Sequence, residues 1–235
     1  MSDIQADFDR IALVSTDGAT QNEHYANFLL RHLPSTCRDV LEIGCGTGSF
    51  ARLLAKRSPN VLALDLSPEM IRIARERSTE FPNIEFERAD IRDQVLPAES
   101  FDCIATIATL HHLPFREILL KMKAALRTGG VLLVLDLFEP ERNLFKPEGL
   151  LDAGLNVLAM GMSVTLRLTH QGRLLPRREV RDAWAEHLRR DIYPTMSQVR
   201  ELCAEILPGA KVRKHLLWRY SIVWQKPAVK SVPPV

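Results

Sequence analysis

At 235 residues and 46% hydrophobic side chains, the chain can bury the core of one α/β domain with length left for a cap. A formal net charge of +2 gives no general pull toward nucleic acid or an anionic membrane, and no run approaches the roughly 18 apolar residues of a membrane span. Cys37, Cys45, Cys103 and Cys203 lack C-x-x-C spacing, which argues against a zinc site or disulfide framework and for a reducing, cytoplasmic compartment.

The acidic start, Met1 to Asp7, lacks the apolar core of a signal peptide. Residues 1 to about 21 show no strong periodicity. Asn22 is expected to cap a helix with Tyr25, Phe28, Leu29 and Leu33 on its apolar side, ended by Pro34-Ser35-Thr36. Val40 to Ile43 then runs into glycines at alternate positions, Gly44, Gly46 and Gly48, and an amphipathic segment from Phe50 to Arg57 follows. That pattern predicts a strand, a tight turn and a helix whose free N–H groups suit a carboxylate or phosphate. The spacing is G-x-G-x-G, and Ser49 stands where the dinucleotide fingerprint needs its last glycine. The next strand, Val61 to Leu64, ends in Asp65, about 20 residues past the first glycine, where a carboxylate can take both hydroxyls of a ribose.

Ser67 and Pro68 form a helix start, as N-cap and first helical residue, with the helix running to about Arg77. Ile84 to Arg88 alternates as an edge strand should, and Asp90 follows it. Phe101 to Ile107 reads as a buried strand. A helix from Pro114 through Leu126 is stopped by Arg127-Thr128-Gly129-Gly130, and Val131 to Leu137 is a central parallel strand. Strands alternating with helices make a parallel sheet, whose ligands sit beyond the C-terminal strand ends. Gly44 to Gly48, Asp65, Asp90, His111 and Asp136 all map to that edge.

The alternation breaks from Glu139 to about Arg190. Asn156 to Leu168, with Met160 and Met162, is expected to form a lid or cap. Arg167, Arg173, Arg177, Arg178, Arg181, Arg189 and Arg190 make this insertion basic, which reads as a solvated helix face with an anionic acceptor as the alternative. A helix from Thr195 to Ile206 precedes two closing strands, Lys211 to Trp218 and Arg219 to Gln225, and a disordered tail is expected from Pro227. One domain results, divided into an N-terminal helical cover (1–36), a ligand-binding core (37–138), a helical insertion (139–194), a last helix with closing strands (195–226) and a tail (227–235).

Four motifs occur in register: Glu42-Ile43-Gly44-Cys45-Gly46-Thr47-Gly48, Leu64-Asp65-Leu66-Ser67, Ala89-Asp90-Ile91, and Phe101-Asp102-Cys103-Ile104 leading to Leu110-His111-His112-Leu113. Together they resemble the class I S-adenosylmethionine-dependent methyltransferases, nearest to a small-molecule branch that includes quinone-biosynthesis enzymes. The resemblance spans residues 20 to 138 and more weakly the C-terminal strands. It implies a Rossmann-like, mostly parallel seven-stranded sheet with an antiparallel C-terminal pair, and S-adenosylmethionine as cofactor. It places Glu42, Gly44, Cys45, Gly46 and Gly48 at the methionine half, Asp65 on the ribose and Leu66 on the adenine. Asp90 is expected to accept from the adenine amino group, the Ile91 backbone to read a ring nitrogen, and the carbonyl near Ile107 to receive the ammonium. The N-terminal helix, with His24 and Tyr25, is expected near the carboxylate or the acceptor.

Methyl transfer from a sulfonium needs mainly in-line positioning and a free lone pair on the acceptor. His111 or His112 is the candidate base, which favours an oxygen acceptor. Relatives that use a metal here carry Glu-His. His111 replaces that glutamate, so no metal is expected. Asp136 either faces the acceptor or caps a helix, and Trp184, His187 and Tyr193 are candidates for the far wall. A small-molecule acceptor is expected, with no nucleic-acid partner and an oligomeric state left open, homodimer included. Competing readings are a nicotinamide-dependent oxidoreductase, disfavoured by Ser49, Asp90 and His111-His112, and a silent S-adenosylmethionine-binding module. A nucleic-acid methyltransferase is disfavoured by charge and by Ala108-Thr109-Leu110-His111 where Asn/Asp-Pro-Pro-Tyr/Phe would stand.

Overall fold

The computed structural model describes residues 3–14, 25–141, 145, 147–171, 178–189 and 191–228. Asn22, His24, Arg173, Arg177, Arg190, the Arg167 side chain and residues 229–235 lie outside what is described.

Seven strands form one sheet in the order β3-β2-β1-β4-β5-β7-β6. The strands β1 (Asp39–Ile43), β2 (Asn60–Asp65), β3 (Ile84–Arg88), β4 (Phe101–Ile107) and β5 (Leu126–Leu137) pair in parallel. β7 (Arg219–Gln225) inserts antiparallel between β5 and β6 (Lys211–Lys214). The chain winds one way from β1 to β2 and β3, then returns to start β4 on the other side of β1. That reversal leaves a crevice beyond the C-terminal ends of β1 and β4.

Both faces of the sheet are covered, so the central strands are mostly apolar rather than alternating, with Glu42, Thr106 and Asp136 as buried polar exceptions. On β5, Leu132 and Val134 pack with α5 (Phe115–Ala125) and α8 (Met196–Ile206), while Leu133 and Leu135 face the opposite cluster with Leu54 of α3 (Ser49–Ala55) and Leu29 of α2 (Ala26–Leu30). α4 (Pro68–Arg77) divides its apolar face. Ile71 and Ala74 join the sheet side, and Met70 and Ile73 meet Ile11 and Ala12 of α1 (Asp3–Val14). The helix start read from Ser67 is present, its hydroxyl accepting the Met70 N–H at 3.0 Å with Pro68 in the first turn.

Several expectations change. α1 occupies a stretch that showed no strong periodicity, although Ile4, Phe8 and Ile11 do recur at helical spacing. The helix expected from residue 22 to 33 is short, Ala26–Leu30. Arg127 to Gly130 extend β5 rather than ending a helix in a loop, with a register shift opposite Phe101 and Cys103. β6 stops at Lys214 instead of running to Trp218, because Leu217 (φ 59°) and Trp218 (φ 58°) take left-handed turn conformations and reverse the chain into β7. The apolar stretch 156–168 lies within a longer helix, α6 (Pro147–Gln171), and α7 (Arg178–Leu188) follows. Among the described residues, no helix is long and apolar enough to cross a membrane.

Candidate active site

A cleft of about 1350 Å³, including its mouth, opens at the C-terminal ends of β1, β2 and β4. Its floor is the turn after β1, from Glu42 through Ser49. Asp65, Leu66 and Met70 line one side, Ala89 to Arg92 the next, and Ile107 to Thr109 with His112 and Leu113 the opposite side. Ile4 and Phe8 of α1 and Trp184 of α7 close over it.

The turn after β1 holds its glycines for different reasons. Gly44 (φ +73°) packs so closely on Thr109 that a Cβ would lie 2.0 Å from Oγ1, and a Cβ on Gly48 (φ +79°) would meet the Phe86 ring at 2.9 Å. Only at Gly46 (φ +52°) would a Cβ meet nothing within 4 Å. It would project into open space that a ligand can use. Asp65 Oδ2 accepts the Gly46 N–H at 2.8 Å and Oδ1 accepts the Ser67 N–H at 2.9 Å. Burial pushes the Asp65 acid up to about 6, against the pull of those two N–H groups. A carboxylate has about four lone-pair sites, so capacity for two ribose hydroxyls remains.

Glu42 is 1% exposed, and its Oε2 has no hydrogen-bond partner. Burial, and then the Asp65 charge, push its acid well above the ordinary carboxyl range. An unpartnered buried carboxyl at a cleft floor is costly alone and fits a ligand bearing an ammonium. Across the cleft, Asp90 is held by Arg92 through both its guanidinium and its backbone N–H, which keeps its carboxyl below the usual range. The Ile91 carbonyl accepts from Lys121 Nζ at 2.7 Å, so the loop that would meet adenine is tied to α5. These donors and acceptors suit an aminoacyl nucleoside.

Glu42, Gly44, Cys45, Gly46, Asp65, Leu66, Asp90, Ile91 and Ile107 are thus gathered along one cleft, with Gly48 buried beneath it. Tyr25 is not brought there. Its hydroxyl donates to the Leu216 carbonyl at 3.0 Å and its ring packs on His215, because α2 lies against the β6–β7 turn. The cover is not α6 either. Trp218 Nε1 donates to Asn156 at 2.7 Å and Lys214 pairs with Asp152, so α6 docks on the hairpin, and none of its described residues lines the cleft. α1 and α7 provide the cover instead, with Ser67 of the α4 cap donating to Asp9 at 2.5 Å.

The two candidate histidines separate. His112 lines the cleft, and burial, then the neighbouring His111 and His187, push its imidazole down to about 3. His111 faces a second hollow with Tyr193 and Ile192. Its Nδ1 donates to Asp136 Oδ1 at 2.6 Å, and Asp136 also accepts the backbone N–H of His111 (3.0 Å) and of Leu137 (2.7 Å). Asp136 therefore fixes the 3₁₀ turn Leu110–His112. Of the residues named for the far wall, Trp184 reaches the cleft, while His187 and Tyr193 stand behind it, packed on Phe8 and His111 respectively. Asp191 completes this group and carried no motif. The spacing of Ile4 and Phe8 was the only signal for the cover.

The chain is similar to known methyltransferases in sequence and in fold. The pattern of a family described as "Methyltransferase domain" matches residues 40–130. The uncharacterized methyltransferase Rv0089 of Mycobacterium tuberculosis is 31% identical over 211 residues, covering 88% of this chain and 96% of that protein. A demethylmenaquinone methyltransferase of Tropheryma whipplei is 32% identical over 137 residues, covering 57% of this chain and 56% of its own. The fold matches that of DhpI in its S-adenosylhomocysteine complex, with a TM-score of 0.63 at 19% identity over 95% of each chain.

Proposed function

The chain belongs to the class I S-adenosylmethionine-dependent methyltransferases and takes S-adenosylmethionine as its cofactor, and from that premise we propose that it methylates a small, largely apolar acceptor at oxygen. The observation that carries this reading is the composition of the cleft beyond the cofactor floor. Ile4, Phe8, Met70, Leu113 and Trp184 are apolar, and His112 is the polar side chain set among them. The relative named for demethylmenaquinone supports a small-molecule acceptor of the same broad kind.

Glu42 receives the cofactor's ammonium, Gly46 gives its backbone room, and Asp65 holds the ribose. Asp90 and the Ile91 backbone meet the adenine edge, and Leu66 packs on the ring. The cofactor supplies an electrophilic methyl on a positive sulfur. When bound, the cofactor would give that methyl to the acceptor oxygen, the sulfur–carbon bond breaking with its electron pair left on sulfur. Phe8 and Trp184 exclude water and hold the acceptor in line, and such positioning supplies a large part of the rate. His112, held neutral by burial, accepts a hydrogen bond from the acceptor's hydroxyl and takes its proton as the forming carbon–oxygen bond makes that oxygen strongly acidic, while His111, bound to Asp136, positions the turn.

The test is release of S-adenosylhomocysteine from a panel of phenols, enols and carboxylic acids alongside amines and thiols of matched size. Turnover confined to oxygen acceptors is expected, reduced at least about 100-fold by His112→Ala. Turnover of amines or thiols alone would sink the oxygen assignment.

A further inference from the structure

Behind the wall that His112 gives to the cleft, side chains from distant segments converge. His111 and His112 sit on the turn after β4, His187 near the end of α7, and Asp191 in the stretch leading to α8. Their side chains are 3%, 8%, 3% and 5% exposed. The facing atoms are near one another without hydrogen-bonding. His112 Nδ1 lies 3.5 Å from Asp191 Oδ1, His187 Nε2 lies 3.6 Å from Asp191 Oδ2, and His111 Nε2 lies 3.9 Å from that same oxygen. N–H···O hydrogen bonds run to about 3.2 Å. Two ligand atoms held at about 2.0–2.2 Å by one tetrahedral cation are instead about 3.3–3.6 Å apart.

The ligand atoms of His111, His112 and Asp191 all lie within 4.8 Å of one another. A modest closure would seat all three on one ion. The surroundings also have the form that metal sites require. His111 gives its Nδ1–H to Asp136, which leaves the Nε2 lone pair directed away from that carboxylate, the arrangement that orients metal-bound histidines. Tyr193 donates its hydroxyl to Asp191 Oδ2 at 2.8 Å and so holds the carboxylate in place.

We propose that His111, His112 and Asp191 bind one divalent transition-metal ion at the edge of the acceptor end of the cleft. Two imidazoles and a carboxylate favour zinc, iron(II) or cobalt(II) over magnesium, which prefers an all-oxygen shell. Three protein ligands leave coordination positions for an acceptor oxygen. This departs from the expectation drawn from His111 alone, which could not include Asp191, a residue brought to the turn by the insertion. The inference rests on the oxygen reading above for what the ion does, though not for whether it binds. As a Lewis acid on the acceptor's oxygen, the ion would lower the pKa of that hydroxyl, whose proton leaves to solvent, and His112 would then serve as a ligand rather than as the base.

The experiment uses tag-free full-length protein stripped with dipicolinate, titrated with zinc and with cobalt(II) by calorimetry and visible absorption. One equivalent is expected to bind with a Kd at or below about 1 μM, with cobalt ligand-field bands of a nitrogen–oxygen site. His111→Ala, His112→Gln and Asp191→Asn should each remove this binding, and Asp136→Asn should weaken it about 10–100-fold through the orientation of His111. His32→Ala should leave it unchanged, since His32 lies elsewhere with Nδ1 on the Phe28 carbonyl. Circular-dichroism melting of the stripped variants checks that each is folded. The absence of a saturable single equivalent in the intact chain overturns the site, as does equal affinity in His112→Gln and Asp191→Asn. Turnover of oxygen acceptors by protein that binds no metal overturns the site and keeps the oxygen reading. A bound ion with turnover only of amines or thiols keeps the site and overturns the oxygen reading.

Discussion

At Gly44 and Gly46, neighbours in one turn, the same substitution should produce different phenotypes. An alanine at Gly44 puts its methyl on Thr109 and forces a side chain into φ +73°. Overpacking and left-handed strain together cost about 2–3 kcal/mol, so Tm should fall by about 6–9 °C in scanning calorimetry. An alanine at Gly46 meets no protein atom but shares the left-handed strain of about 1–2 kcal/mol, so Tm should fall less than at Gly44, while its methyl enters the space proposed for the cofactor. S-adenosylhomocysteine affinity should fall at least about 10-fold by calorimetric titration, more than 1.4 kcal/mol. Asp65 offers a second prediction. With its acid pushed up to about 6, it is ionised at pH 7.5 and protonated at pH 5. Cofactor affinity should be flat above pH 7 and fall toward about tenfold per pH unit below 6, and Asp65→Ala should abolish that dependence. The sign is reversed for the ligand-free fold. A raised carboxyl pKa stabilises below the unfolded value and loses that contribution as pH rises through 6.

Among the elements, those that carry sharp local chemistry were legible. Val40 to Ile43 could only be a buried strand running into glycines, and Ser67-Pro68 could only open a helix. α1 was harder, since its apolar positions Ile4, Phe8 and Ile11 are separated by acids and its face is completed by Met70 and Ile73, which belong to another helix. The β6–β7 turn was missed because Leu217 and Trp218 take positive φ without a glycine or asparagine to announce it. The candidate site divides likewise. The residues expected on the cofactor side lie on short-range motifs and are brought to one cleft, while Asp191 depends on how the insertion returns to the sheet. That return is secured by α8, where Thr195 caps the Gln198 N–H at 3.3 Å and Gln198 Oε1 accepts the Thr195 N–H at 2.8 Å. Thr195→Ala should cost about 1 kcal/mol, or about 2–4 °C in Tm. Because Asp191 lies just before that cap, acceptor KM should rise more than cofactor KM in steady-state assays.

Taken whole, the molecule is a rigid sheet with its cleft closed by two helices that are remote in sequence, α1 and α7. A cofactor held as proposed, between the sheet edge and this cover, would bind only the folded chain. S-adenosylhomocysteine at 100 times its Kd should therefore add about 2.7 kcal/mol, raising Tm by about 5–11 °C in a thermal-shift experiment.

The antiparallel β7 between β5 and β6 has a consequence for synthesis. β5 is the hydrophobic centre of its half of the sheet, yet its partner on the side away from β4 is the last of the described strands. Between Leu137 and Gln225 a ribosome adds roughly 90 residues, about 4–18 s at usual elongation rates. Throughout that interval the nascent chain presents Val131 to Leu137 as an open, apolar strand edge, the kind of surface that recruits other strands or a chaperone. Messages that stall before codon 219 should yield chains that pellet or co-purify with chaperones, whereas release after Gln225 should yield soluble product.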